Sequence, residues 1–340
     1  MASLKSYLSS QFSRTFFVVF LPLFFIVTLV YFVRISILTA QIKVDVLELL
    51  ELYLYFLPSI VFYTLPISFI VSLSTVLVRL SSENELIALY SLGIDSKSIL
   101  LNYFKLATIF SVLLLVISLL AMPIAKQSYN AFKTDKIYDA EFNFTPGSLG
   151  QKFGDYYLYI EKQVGNTFQN IIIFSKKENN SEQIFVANEG IFVKDKSNAS
   201  SFKLLNGYGY TTKDNNILQI KYLSLSAFDT RDKNAAHFDK IIEYWLKAQS
   251  DTETMHRLLF FSFVSLIPLL SIFGVAAFSM INPRYQGNSS FAVILAMVVL
   301  LYAFASLLDN IGTIYMLIAG VVVMIFGGKW LFKQRVERYF

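Results

Sequence analysis

The chain has 340 residues, 55% of them hydrophobic and 33 of them Phe, with a mean hydropathy of +0.54. Soluble domains run at about 45–50% apolar, so an ordinary soluble fold is excluded. The absence of cysteine excludes disulfides, catalytic thiols and Cys-based metal sites, and the net charge of +5 is too modest to argue for nucleic acid.

Crossing a bilayer as a helix takes about 20 mostly apolar residues. The first segment that qualifies is Phe16–Ile37. It outlasts the core of a signal peptide and has no small-residue cleavage pattern behind it, so it is expected to be a retained helix. Arg34 lies at its far end and Lys43 follows. A second span, Leu54–Val78, contains Pro58 and Pro66. These prolines free backbone carbonyls, and read either as tolerated kinks or as hinges.

Between the second span and the third, Ile99–Ala121, lies a partly polar island, Arg79–Lys97. Leu86, Ile87, Leu89 and Tyr90 recur there at helical spacing behind the acidic start Glu83-Asn84-Glu85. Ser81 or Ser82 is expected to cap this helix, Ser82 and Glu85 fit the Ser-x-x-Glu capping box, and Gly93 suits a left-handed C-terminal position. The predicted helix covers about 82–93. Glu85 then reads either as a cap and nothing more, or as a carboxylate offered with Glu83 to basic residues of a partner.

Lys126, Lys133 and Lys136 follow the third span, after Pro123. The next 130 residues or so change character, with short β-branched and aromatic runs at 155–161, 170–175, 183–187, 190–194, 201–205 and 217–224. Turn chemistry is expected at Asn188–Gly190, Asp195–Asn198, Asn206–Gly207 and Lys213–Asn216. At least six closely spaced strands predict an all-β, jellyroll-like sandwich or open barrel. Its edges either accept a strand from another protein or are guarded by the abundant Lys.

Three further spans follow at Leu258–Met280, Phe291–Leu308 and Ile311–Phe332, with Arg257 before the first and Pro268 within it. Asp309 is expected to cap the last helix. Lys5, Arg14, Arg79, Lys97, Lys105, Arg284, Lys329, Lys333, Arg335 and Arg338 fall on one side of the six spans, while the short loops opposite hold only Lys43 and Arg34. The positive-inside rule puts both termini in the cytoplasm and the β insertion outside. The expected organisation is residues 1–125 as spans one to three with the polar helix, 126–255 as the β domain, and 256–340 as spans four to six with a tail.

The pattern Leu57-Pro58, Leu65-Pro66 and Arg79-Leu-Ser-Ser-Glu-Asn-Glu-Leu-x-Ala-Leu-x-Ser-Leu-Gly93-Ile, set in a three-plus-three layout around a β insertion, resembles the LptF/LptG permease family. The resemblance covers the whole chain. It implies a non-catalytic transmembrane subunit of an ABC exporter that takes lipopolysaccharide from the inner membrane and passes it to periplasmic β-jellyroll bridge proteins. The implied partners are a cytoplasmic ABC ATPase homodimer and a paralogous six-span subunit. The polar helix becomes the coupling helix, with Glu83, Glu85, Leu86, Leu89, Tyr90 and Gly93 as its coupling residues. Arg34 carries over by position as a lipid contact, with Lys43 and Lys126 weaker. The doubled acid resembles LptF slightly more than LptG, while Tyr90 and Asp95 depart from the common pattern.

The basic residues near the outward ends otherwise read as snorkelling side chains, or as a ring for an anionic headgroup. No Gly-x-x-x-x-Gly-Lys-Ser/Thr occurs, so ATP is not bound through a P-loop, and Gly207-Tyr-Gly209 sits in strand context. His237 and His256 are isolated, and no cofactor is implied. Two rival readings remain: a scaffold or sensor whose β domain binds a ligand, and a mechanotransmitting ABC subunit without a lipid cavity.

Overall fold

The computed structural model describes residues 4–39, 44–141, 146–148, 150–153, 156–165, 167–176, 182–194, 200–213, 216–228, 240–280 and 290–338. The chain divides into a helical unit, Met1–Ala40, Val44–Tyr129 and Phe238–Phe340, and a second unit built on Asn130–His237.

In the helical unit, α1 (Leu4–Thr39), α2 (Val46–Ser82), the short α3 (Glu85–Ser91), α4 (Ser96–Val116) and α5 (Met122–Glu141) come before the β strands. A π-helical turn, Ile117–Ala121, joins α4 to α5. After the strands come α6 (Ile241–Leu246), α7 (Thr252–Ser279), α8 (Ser290–Ile311) and α9 (Ile314–Phe332), which ends in a second π turn, Lys333–Glu337. Among the described residues six helices are long and apolar enough to cross a membrane, in the places the sequence predicts, and the chain is a multi-pass membrane protein.

α2 and α7 form the centre of this unit. In their most apolar stretches 72% and 67% of residues are buried, against 6% for α9. Small polar residues let the helices approach: Ser74 and Ser279 share a hydrogen bond of 2.9 Å between α2 and α7, and Ser118 and Ser265 one of 3.1 Å between the π turn and α7. Phe12, Phe62, Phe69, Tyr103 and Phe263 fill the space between helices, each essentially fully buried.

The last helix is capped differently from the sequence expectation. α8 continues to Ile311, so Asp309 lies within it. Thr313 is the N-cap of α9, its hydroxyl accepting from the Met316 amide at 3.3 Å. A β-region hydroxyl residue directly ahead of the first turn is the better-placed acceptor.

The second unit contains β1 (Gln151–Phe153), β2 (Tyr156–Val164), β3 (Thr167–Lys176), β4 (Glu182–Lys194), β5 (Ser200–Lys213) and β6 (Asn216–Phe228). They form one antiparallel sheet in chain order, with β1 and β6 at its edges. Two predicted turns are absent. Asn188–Gly190 lies inside β4, merging two predicted strands, and Asn206–Gly207 lies inside β5.

The turn-forming residues at these positions interrupt the pleat instead of reversing the chain. By the register of their neighbours, Glu161, Asn170, Asn188, Asn206 and Leu223 lie opposite one another in one row across β2 to β6. Asn170 and Asn206 adopt φ of +50° and +52°, a region that Asn tolerates better than most residues. At the row the inward-facing positions shift by one residue. Ala187 and Gly190 are buried with Asn188 and Glu189 exposed between them, and Leu204 and Gly207 repeat the pattern in β5.

Residues from both sides of the row join one core, including Ile171, Ile173 and Ala187 from one side and Phe168, Phe202 and Leu204 from the other. Gly207 lies under a bond from the Tyr222 hydroxyl to the Val186 carbonyl, 3.0 Å long, and a Cβ there would stand 2.1 Å from that carbonyl oxygen.

Candidate coupling helix and cationic pocket

The polar island folds as a helix, but not the one its spacing suggests. α2 runs through Ser82, Ser81 is buried within it, and Glu83 is its C-cap. Asn84 then turns the chain through a left-handed conformation, φ +59°, and its carbonyl opens α3 by accepting from the Ala88 amide at 3.1 Å. The expected Ser82–Glu85 capping box does not form, because Ser82 is still helical and Glu85 is the first residue of α3. The cause is the apolar face of α2, buried as far as Leu80, which carries the helix past the serines.

The two carboxylates therefore separate. Glu83 pairs with Arg79 one turn earlier, Nε to Oε1 3.1 Å, in a half-exposed surface pair. Glu85 accepts a 2.8 Å hydrogen bond from the Tyr7 hydroxyl on α1, and Gln11 donates to the same hydroxyl at 2.6 Å. The helix that carries Arg34 at one end is thus tied to α3 at the other.

The C-terminus of α3 follows the expectation for Gly93. Gly93 has φ +78°, its amide donates to the Tyr90 carbonyl at 2.9 Å, and the Ile94 amide donates to the Leu89 carbonyl at 3.1 Å. This pair of bonds is a Schellman closure, and Leu89 and Ile94 both lie against the core as that motif favours.

α3 turns Leu86 inward, at 1% exposure, with Leu89 and Tyr90 partly buried beside it. Burial pushes the Tyr90 hydroxyl pKa upward. These three residues hold the helix to the bundle. The face left outside carries Ile87 at 37% and Leu92 at 75% exposure. Helical spacing groups Ile87 with the buried stripe and misses Leu92, although an apolar residue placed opposite Leu86, Leu89 and Tyr90 is the available signal.

At the other end of the bundle α1, α2, α5, α6 and α7 enclose a pocket of about 360 Å³. Arg34, Lys126 and Arg257 all line it, and none of the described lining residues is acidic. Arg34 stands 5.3 Å from the ring centroid of Tyr31. Arg257 is held by Glu253, 2.8 Å away on the first turn of α7. That turn is set by Asp251, whose carboxylate accepts from the Glu253 and Thr254 amides. The Thr254 bonds, side chain first, hold the Asp251 carboxyl below its ordinary pKa.

The wall is aromatic. Tyr31 and Phe56 have ring centroids 5.1 Å apart, and Phe56 and Tyr129 5.0 Å. Tyr55, Tyr63 and Tyr244 also line the space. Pro123 shapes it from α5: it has no N–H for the Leu119 carbonyl, and the Trp245 indole N–H donates there instead, at 2.8 Å. Guanidinium and ammonium groups over a phenolic wall, with apolar surface beneath, suit an anionic group on an apolar body.

The structure thus brings together Arg34, Lys126 and Arg257, three of the outward basic residues read from sequence as a possible ring. Lys43 lies outside the described residues. The tyrosines and Trp245 were not singled out from sequence, though clustering of Tyr and Trp at span ends is the signal of an interfacial belt.

The family described as Lipopolysaccharide export system permease LptF/LptG matches residues 6–333. No curated protein matches the chain.

Proposed function

The chain belongs to the LptF/LptG family of lipopolysaccharide export system permeases and is a non-catalytic ABC permease subunit, and from that premise we propose how it works. It resides in the bacterial inner membrane with both termini in the cytoplasm and the β unit in the periplasm. It takes lipopolysaccharide from the membrane and passes it to periplasmic β-jellyroll proteins. A paralogous six-span subunit completes the cavity, and a pair of cytoplasmic ATPase chains drives it.

The observation that carries this reading is the meeting of Arg34, Lys126 and Arg257 over an aromatic wall at the end of the bundle opposite α3. Phosphorylated sugar on an acyl body is the ligand such a site suits. Acyl chains already buried in a bilayer gain little by moving to an apolar cavity, so extraction needs external work. α3 supplies the input. Glu85 and the exposed Ile87 and Leu92 meet the ATPase, and the Tyr7 bond relays movement to α1.

In the periplasm the sheet serves as the jellyroll-like part of the bridge, with an open edge for the next protein. The domain limits are those expected from sequence, 126–255 for the β domain between two three-span halves. Glu83 beside Glu85 leans the assignment toward LptF.

The test is purification of the tagged chain from native membranes with mass spectrometry of what stays bound. The expected result is an ABC ATPase and a second six-span protein, both lost with Glu85→Lys. Arg34→Glu with Lys126→Glu should retain both proteins and lose crosslinking to lipopolysaccharide. Intact lipid crosslinking and growth in that variant would move the reading to a mechanotransmitting subunit. Recovery of neither protein from a folded preparation would move it to a scaffold or sensor.

A further inference from the structure

A second cleft opens at the end of the helical unit that carries the start of α4 and the end of α9. It lies between α4, α7 and α9 and has a volume of about 710 Å³. Leu100, Phe104, Leu269, Phe273 and Ile325 line it as an almost wholly apolar slot. Lys97, Lys329 and Lys333 also line it, and Glu337 is the one acidic lining residue among those described.

The lysines are accessible. Lys97 lies 3.2 Å from Glu337, yet its side chain remains 72% exposed. Such a pair contributes little in solvent and gives way readily to a stronger anion. The Lys329 ammonium stands 5.6 Å from the ring centroid of Phe273, which lines the slot, and the residue remains exposed.

We propose that this cleft binds an anionic phospholipid of the cytoplasmic leaflet, one acyl chain in the apolar slot and the headgroup phosphate at Lys329 and Lys333. The assignment rests on the orientation given under Proposed function. It concerns a resident lipid at the end of the bundle opposite the Arg34 pocket, distinct from any exported lipid. Two features choose the occupant. A free phosphate has no use for the apolar wall, and a partner's apolar helix has no use for three ammonium groups. Basic pockets between membrane helices on the cytoplasmic side suit anionic headgroups.

The experiment uses the full chain in nanodiscs holding photoactivatable phosphatidylglycerol or, at equal mole fraction, photoactivatable phosphatidylcholine. Crosslinked peptides are mapped by mass spectrometry. Phosphatidylglycerol should label 97–104 and 325–333 in clear excess over phosphatidylcholine. Lys329→Gln and Lys333→Gln should each lower that excess about fivefold, with phosphatidylcholine labelling unchanged as proof that the slot is intact. Glu337→Gln should raise the excess, because it frees Lys97 and removes the opposing charge.

Equal labelling by the two lipids, indifference to the lysine variants, or a fall with Glu337→Gln would each overturn the proposal. So would displacement of the lipid by excess inorganic phosphate, or loss of labelling on assembly with the partner subunits. Orientation is read separately. The chain has no cysteine, so Lys333→Cys is a unique thiol. Its labelling by an impermeant maleimide on the outer side would remove the leaflet assignment while leaving lipid selectivity standing.

Discussion

Trp245 donates its indole N–H to the carbonyl of Leu119, the carbonyl that Pro123 leaves without its helical donor. The π turn, the proline and a helix on the far side of the β insertion therefore form one device, which sets the wall of the cationic pocket. Trp245→Phe keeps a ring beside Phe261 and removes the donor. It should lower stability by about 1–3 kcal/mol, the cost of a part-buried acceptor left unmet. Pro123→Ala restores a backbone donor, so the same tryptophan substitution should cost less in that background. Thermal unfolding of the four members of this cycle in detergent reads the coupling.

The Tyr7–Glu85 bond separates two roles for the carboxylate. Tyr7→Phe should leave ATPase association in place, while hydrogen exchange at the α3 amides speeds up and the export rate falls. Glu85→Lys should abolish association. If Tyr7→Phe abolishes association as well, the bond presents the helix to the partner rather than relaying its motion.

Gly93 is required by its backbone conformation, because a Cβ there would meet nothing within 4 Å. Gly93→Ala should cost about 1–2 kcal/mol, the usual penalty for an L side chain at positive φ, and Gly93→Asn less. Exchange of the Ile94 amide, which closes the Schellman motif, is the local readout.

Tyr222 gives the β unit a dependence on alkaline pH. Burial pushes its hydroxyl from 10.0 up to about 12, so the folded chain holds this proton more tightly than the unfolded one. Its contribution is complete below pH 10.0 and falls as pH rises toward about 12. Tyr222→Phe should flatten that part of the stability profile, measured by proteolysis of 130–237 in the intact chain. Gly207→Ala should destabilise at every pH, since a Cβ would strike both the Val186 carbonyl and the Tyr222 hydroxyl.

The membrane layout was legible because span length and apolar content depend on composition alone. Gly93 was legible because a left-handed helix end has few candidate residues. The start of α3 was not. Ser82 and Glu85 satisfy a local motif, but burial of α2 through Leu80 overrides it, and local chemistry does not report tertiary burial. The same limit applies to the stripe: helical spacing finds Leu86, Ile87, Leu89 and Tyr90 without saying which of them meet the bundle, and in the structure Leu86 does while Ile87 stays exposed. Arg34, Lys126 and Arg257 were legible as charges at span ends that could form a ring, whereas the aromatic wall they share depends on tertiary packing. In the sheet, Asn-Gly chemistry in β5 was read as a reversal. It serves there as a break in the pleat, and only alignment across strands distinguishes the two.

That break has a consequence for how the β unit tolerates change. Asn170, Asn188 and Asn206 recur at intervals of eighteen residues, and the register keeps them abreast. Lengthening a hairpin beyond the strand ends leaves the three aligned. A single residue inserted between the row and a strand end moves half a strand out of step with both neighbours and sends its apolar side chains to the wrong face. Insertions and deletions among natural relatives should therefore gather at the hairpin tips, and a tag or reporter placed there should be carried without cost to the sheet.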